Sequence, residues 1–405
     1  MRHILLVFIC VMALTMPAVT LAMNPIYQEE NTQPDEGSGE VIKEIQDEID
    51  RLVGETDFTE WQETLENNGL ELAKICNGDN VRDLVLAVAY GEARIDADSV
   101  FSLFTDSLKK RVTEKIGLVV ALLGVGLLSG LADLLISGGE KNSIREVSSF
   151  LCQGVAVGIV VYTLSNMAST TKNGISGAVD FIEVSNPTLA VMLTASGSSM
   201  VSGAISPLMT FLTSTVAKLL QTIVLPLALS GGVLAIVNNL SGRKQVGELQ
   251  SLAKEASKWT VGLIFTLYIG ITAITGLSIS STNGLSLRTA KFAVEKFVPI
   301  IGGAASGTID TVLFCAQLVK NAAGVTAIIV SIGYAAVPLI ELLGTMIVLR
   351  ASAALCEPIA DSRIVSMLKE VAESSKYLFA AMFGIILMFI ITVGIIVGTG
   401  NIYIA

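Results

Sequence analysis

The chain has 405 residues, 52% of them hydrophobic and only 15% charged, with mean hydropathy +0.68 and net charge −10. A soluble protein of this length carries about 25% charged residues, and several apolar runs here approach the roughly 20 residues that cross a bilayer. Soluble classes are thereby excluded, and an all-α polytopic membrane protein is expected. The one histidine is His3, which removes His-based triads, haem ligation and most zinc chemistry. Cys10, Cys76, Cys152, Cys315 and Cys356 show no paired spacing, so no disulfide, metal site or cofactor is expected.

Residues 1–22 read as a secretory signal. Arg2 and His3 form a positive head, Ile4 to Leu14 an apolar core, and Thr20-Leu21-Ala22 a cleavage site. An uncleaved first helix is the alternative, and in both cases the next segment is expected outside the cytoplasm. That segment, 23–108, is a small acidic helical region: Met23 to Asp98 holds 20 Asp/Glu against 5 Lys/Arg. Its start, "QEENTQPDEGSGE", has a disordered composition. In "EVIKEIQDEIDRLV", Val41, Ile42, Ile45, Ile49, Leu52 and Val53 recur at helical spacing. Ile45, Ile49 and Leu52 are candidate partner-docking residues, since little else in sequence faces them beyond this small domain. The acidic face disfavours nucleic acid and anionic lipid heads.

Three membrane units follow, at 109–170, 171–280 and 281–405. Pro187 and Pro226 are 39 residues apart, as are Pro299 and Pro338, and each pair leads into an apolar run, a polar amphipathic stretch and a second apolar run. "GRKQVGELQSLAKEASKW" and "DSRIVSMLKEVAESSKY" are those polar stretches. The first unit is shorter: Ile116–Ile136, "SGGEKNSIRE", Val147–Met167. With the amino terminus outside, connectors 137–146, 241–258 and 350–376 fall inside with 2, 4 and 4 Lys/Arg, against 1 and 3 for 168–187 and 280–298. That count requires about six spans plus two re-entrant small-residue segments, Thr188–Thr210 and Ile300–Leu318.

Re-entrant backbone must be buried in protein or line a wet cavity, and small residues permit the close approach this needs. Pro299, Gly302, Gly303, Ser306, Gly307 and Asp310 in "VPIIGGAASGTID" are therefore candidates for a pore or for tight packing, Pro299 starting the descending arm. Intramembrane charges usually face a cavity or a partner. Asp133, Lys218, Lys320 and Glu341 are the others of this kind, either ion-paired internally or lining a polar route. Asp133 and Asp310 each follow a glycine by three residues, but the partner motif of an intramembrane aspartyl protease is missing. No Walker or Rossmann loop occurs, and no catalysis is expected.

The stretch "VPIIGGAASGTIDTVLFCAQLVKNAAGV", Val298 to Val325, resembles the stage III sporulation protein AE family of endospore formers, as does the plan of signal, acidic outer region and polytopic remainder. The resemblance implies a multi-pass subunit of a channel apparatus between mother cell and forespore, in the mother-cell membrane with its amino-terminal region extracytoplasmic. It implies companions in an ATPase, small membrane subunits and ring-forming proteins, and it is compatible with a homo-oligomer. A stand-alone secondary transporter and a structural scaffold for rings are the alternative readings.

Overall fold

A backbone that crosses lipid must satisfy its own amides, and this chain does so with helices alone. The computed structural model describes residues 38–67, 80–92, 97–136, 142–196, 199–240, 246–280 and 302–398, among which there is no strand. The expected signal and Pro299 lie outside the described residues. The first four helices are α1 (Ser38–Glu55), α2 (Thr59–Asn67), α3 (Val81–Ala89) and α4 (Ala97–Glu114). Next come α5 (Ile116–Ile136), α6 (Asn142–Ala195) and α7 (Ser199–Leu219), the last passing through a π-turn at Leu220–Val224 into α8 (Leu225–Leu240). The chain then forms α9 (Gly247–Ser280), α10 (Gly302–Cys356) and α11 (Ser362–Gly398).

Five stretches are long and apolar enough to cross a membrane, within α6, α7–α8, α9, α10 and α11. The end of α4 and most of α5, bent by 43°, qualify together as a sixth. The π-turn has a local cause. Pro226 has no N–H to offer the carbonyl four residues back, and the Leu225 amide reaches back to Leu220 instead, the wider spacing of a π-turn.

The connections α5–α6, α8–α9 and α10–α11 lie at one end of the bundle. Gln153 near the start of α6 donates to Asp361 before α11 at 3.2 Å, and Asn239 of α8 and Gln250 of α9 both donate to Glu370 at 3.1 and 2.8 Å. At the opposite end the amino-terminal helices dock through edge-to-face rings. Phe58 meets Trp61 at 5.5 Å, Trp61 meets Phe181 of α6 at 5.8 Å, and Phe181 meets Phe389 of α11 at 5.6 Å. Ile49, Val53, Val85 and Trp61 are buried there, and the Cys315 thiol of α10 approaches the Ile45 carbonyl at 3.9 Å.

Four expectations change. Residues 168–187, read as an outer loop, continue α6 without interruption, because no residue before Pro187 breaks a helix and Pro187 itself is accommodated inside α6. The segment Thr188–Thr210 does reverse direction, but as the far end of α6, a turn at Ser196 and the start of α7. The segment Ile300–Leu318 is, from Gly302 onward, the first turns of the unbroken 55-residue α10 rather than a re-entrant hairpin. Gly302, Gly303, Ser306, Gly307 and Asp310 are helical, since small residues tolerate a helix that nothing interrupts. The stripe of α1 also has an internal counterpart. Ile49 is buried, and Ile45 and Leu52 pack partly buried against the same cluster of α3, α6 and α10 side chains.

Truncating the central ring of this junction tests its importance. Trp61→Ala removes a fully buried indole, a change that costs about 3–5 kcal/mol. Limited proteolysis of the full chain within residues 38–92 is expected to accelerate by roughly a hundredfold or more, with cleavage inside the membrane helices unchanged. Trp61→Phe retains most of the packing and is expected to cleave at close to the original rate.

Candidate functional site

Two carboxylates at the connection end hold the three helical hairpins together. One Asp361 oxygen accepts the Arg363 amide at 2.9 Å, capping α11 as an N-cap residue does. The other accepts Ser149 at 3.3 Å and Gln153 at 3.2 Å, both from α6. Glu370, two turns further along α11, accepts Asn239 and Gln250 on one oxygen and Ser366 at 3.4 Å on the other. Asp361 thus ties the α10–α11 hairpin to α5–α6, and Glu370 ties it to α8–α9. Beside them lies an open recess whose lining includes Gln153, Asn239, Arg363 and Met367, too small for the 300–1,000 Å³ of an ordinary ligand site. Charges cluster just above: Lys376 bridges Glu373 at 2.7 Å, and Arg350 reaches the same carboxylate at 3.6 Å.

At the amino-terminal end the interior holds an amine. Lys320 of α10 is fully buried, and its Nζ donates to the Val397 carbonyl at 3.1 Å. That carbonyl belongs to the last turn of α11, where acceptors lack helical partners. Between the two ends, Tyr268 of α9 donates to the Met388 carbonyl at 2.9 Å and also contacts the Thr392 hydroxyl. Hydrogen bonds of this type link helices where lipid supplies no hydrophobic drive.

The residues singled out in the sequence do not converge on one site. Lys320 is buried on the carbonyl of Val397, Glu341 pairs with Lys115 at 3.6 Å, and Lys218 is exposed on α7. Asp133 is helical in α5, and its side chain, like those of Ser306 and Asp310, lies outside the described residues. Asp361, Glu370, Asn239 and Gln250 were not singled out. Gln250, Asp361 and Glu370 lie inside connectors read as polar stretches and for their Lys/Arg count, and Asn239 lies just before one of them. Among the described residues no three His, Cys, Asp or Glu side chains come together as a metal site would require.

Outside the spans, the Arg51 guanidinium donates to Glu48 at 2.9 Å and holds that carboxyl below the usual carboxylate range. A carboxyl depressed on folding stabilises above its unfolded pKa, and that contribution is lost as pH falls through the folded value. Burial pushes the Tyr90 phenol up, helped by its 2.7 Å hydrogen bond to Asp50, so it stays protonated at neutral pH.

A family model described as stage III sporulation protein AE matches residues 80–400, from the start of α3 to the end of α11. The chain belongs to the stage III sporulation protein AE family. It is 26% identical over 268 residues to the Stage III sporulation protein AE of Bacillus subtilis (strain 168), an alignment covering 66% of this chain and 67% of that protein. No solved structure matches. As an AE-family member this is a sporulation membrane protein, and its interior polar groups do the work of joining helices.

Removing the Glu370 acceptor tests that role. Glu370→Leu leaves the buried Gln250 amide without its carboxylate, at about 1–3 kcal/mol, while the half-buried Asn239 amide keeps the Ala235 carbonyl at 2.8 Å. Thermal unfolding of the purified chain is expected to show a clear drop in Tm for Glu370→Leu and a smaller one for Glu370→Gln, which keeps one acceptor oxygen.

Proposed function

We propose that this chain is a non-enzymatic core membrane subunit of a sporulation transport or secretion channel between mother cell and forespore, with a permease role as the narrowest form of that reading. The observation that carries it is the extent of the family match, 80–400. It takes in every candidate membrane helix among the described residues and α3, so what defines this sporulation family is a whole bundle rather than a detachable catalytic domain. The orientation follows from Lys/Arg placement: the connection end, with Lys254, Arg363, Lys369 and Lys376, lies in the mother-cell cytoplasm. The α1–α3 helices then face the space between the two membranes. Partners there, ring-forming proteins among them, meet the exposed acidic side of α1 at Glu44, Asp47 and Asp50, since its apolar stripe is covered by α10. An ATPase and small membrane subunits complete the assembly.

Recovery of ring and ATPase partners with the purified chain supports this reading, whereas partner-free solute flux in liposomes identifies a stand-alone transporter instead. In intact cells, cysteines introduced at Lys254 and Lys369 are expected to escape impermeant thiol reagents while one at Gln33 reacts; labelling at Lys254 reverses the orientation. Asp310→Asn keeps the side chain's shape and removes its charge. It is expected to lower sporulation at least tenfold at unchanged membrane level, with Asp310→Glu partly active. Normal sporulation of Asp310→Asn leaves that carboxylate without a part in transport.

A further inference from the structure

Contacts fix the heights of the helices along the bundle. At the connection end Gln153 of α6 meets Asp361, and the Ile359 backbone lies against Gly130 of α5. Far above, Phe181 of α6 meets Phe389 of α11, and Tyr268 of α9 bonds the Met388 carbonyl. From Asp361 to Phe389 the helix rises about 40 Å. In between, Gly231 of α8 faces both Lys254 of α9 and Ser374 of α11, and Gly232 beside it packs on Leu164 of α6.

Around this axis the exposed apolar surface is not level. It lies low on α5, at Ile116, Val120, Leu127, Leu128 and Leu131, and low on α6, at Phe150, Leu151, Val155, Val161 and Tyr162. Exposed polar groups stand above it there: Lys172, Asn173, Asp180 and Glu183 on α6, and Asp106, Lys109 and Lys110 on α4, which rests on Gly344 of α10. On α9 the order is inverted, with Trp259, Leu263, Leu267, Ile271 and Ile274 exposed above Glu248, Glu255 and Lys258. Leu249 and Leu252 are exposed in that lower part too, alternating with Glu248, Ser251 and Glu255 as in a stretch lying at an interface. The α7–α8 stretch, which packs on α6 and on α9, exposes Phe211, Leu219, Val233 and Val237 through both levels.

The α5 helix packs on α6 and α10, and α9 packs on α8 and α11, so α5 and α9 occupy opposite flanks. The apolar band therefore descends across the bundle, by about 30 Å from α9 to α5. Neighbouring helix axes lie about 10 Å apart, which puts roughly 30 Å between those flanks and gives the band a slope of about 45°. A hydrocarbon layer of about 30 Å set square to the helices covers one flank or the other; a tilted layer covers both. Helices longer than the hydrocarbon accommodate by tilting, and α6 and α10, with 54 and 55 residues, far exceed the roughly 20 that span upright. The lower edge on the α9 side is marked twice, at Lys258-Trp259 and at Lys376-Tyr377, each a cation followed by an interfacial aromatic.

We infer that the bundle sits obliquely in the membrane, with lipid hydrocarbon against the lower faces of α5 and α6 and against the upper face of α9. Lys172, Asp180 and Glu183 then stand in water on the side of the amino-terminal helices, although Leu267 and Ile271 at the same height lie in lipid. On the opposite flank Glu255 and Glu373 stand in water on the connection side, although Val161 and Tyr162 of α6 near that height lie in lipid. The inference concerns seating alone, so its failure leaves the channel reading in place. The test uses the purified full chain in vesicles, cysteine-free except for one fluorophore-bearing site. Leu128→Cys, Val155→Cys and Leu267→Cys are expected to be quenched by a lipid with a nitroxide on its acyl chain, and Asp180→Cys and Glu255→Cys by aqueous iodide. For the unsubstituted chain in oriented bilayers, polarised infrared absorption is expected to give a mean helix tilt above about 30°, beyond the ~20° average of membrane helices. A smaller tilt, the same quencher acting at Asp180→Cys and Leu267→Cys, or Leu128→Cys and Val155→Cys shielded from the acyl-chain nitroxide each overturns the inference.

Discussion

The packing of α10 against α11 is the contact to which every other helix is referred. The two run antiparallel from the turn at Glu357–Asp361 to the level where Lys320 meets Val397, and Leu342, Leu349, Leu368, Leu378 and Ile385 are fully buried along the way. Lipid tails are as apolar as leucine, so burial alone gives helices in a membrane little reason to associate. Close fit and polar bonds must supply it. The hairpin offers both, with Asp361 and Glu370 reaching outward to the other two hairpins and the Met388 carbonyl receiving Tyr268 of α9.

Close fit depends on glycines used as sockets. The Tyr334 ring of α10 lies where a side chain at Gly177 of α6 would stand, and the Phe265 ring of α9 occupies the corresponding place at Gly384 of α11. Each pairs a missing side chain with an aromatic from a neighbour, which maximises dispersion contact where water is absent. The same logic operates at the amino-terminal end, where the rings of Phe58, Trp61, Phe181 and Phe389 bind the outer helices to the bundle.

Much of this plan was legible before any coordinates. Long apolar runs identified the membrane class, the Lys/Arg count put the three connectors together, and the spacing of Ile45, Ile49 and Leu52 marked α1. The placement of 168–187 between two units misled, because a segment set outside the membrane by its Lys/Arg count read as a connector although none of its residues before Pro187 breaks a helix. The glycines after Pro299 misled in the same way, since helix packing and hairpin turns use the same small residues. Lys320 stood out as a cation in an apolar run, but its acceptor, 77 residues away, left no local trace. The bonds from Glu370 to Asn239 and Gln250 span more than 100 residues, and only the register of packed helices creates them.

The junction between α1 and α10 has a consequence for synthesis. The Cys315 thiol and the Ile45 carbonyl that meet there are 270 residues apart in the chain. At about 5–20 residues per second on the ribosome, roughly 15 to 50 seconds separate the emergence of the two. Throughout that interval the stripe of Ile45, Ile49 and Leu52 on α1 has no α10 to pack against. The newborn outer helices must be shielded or kept apart until the third hairpin arrives, and the last part of the chain to be made completes the first.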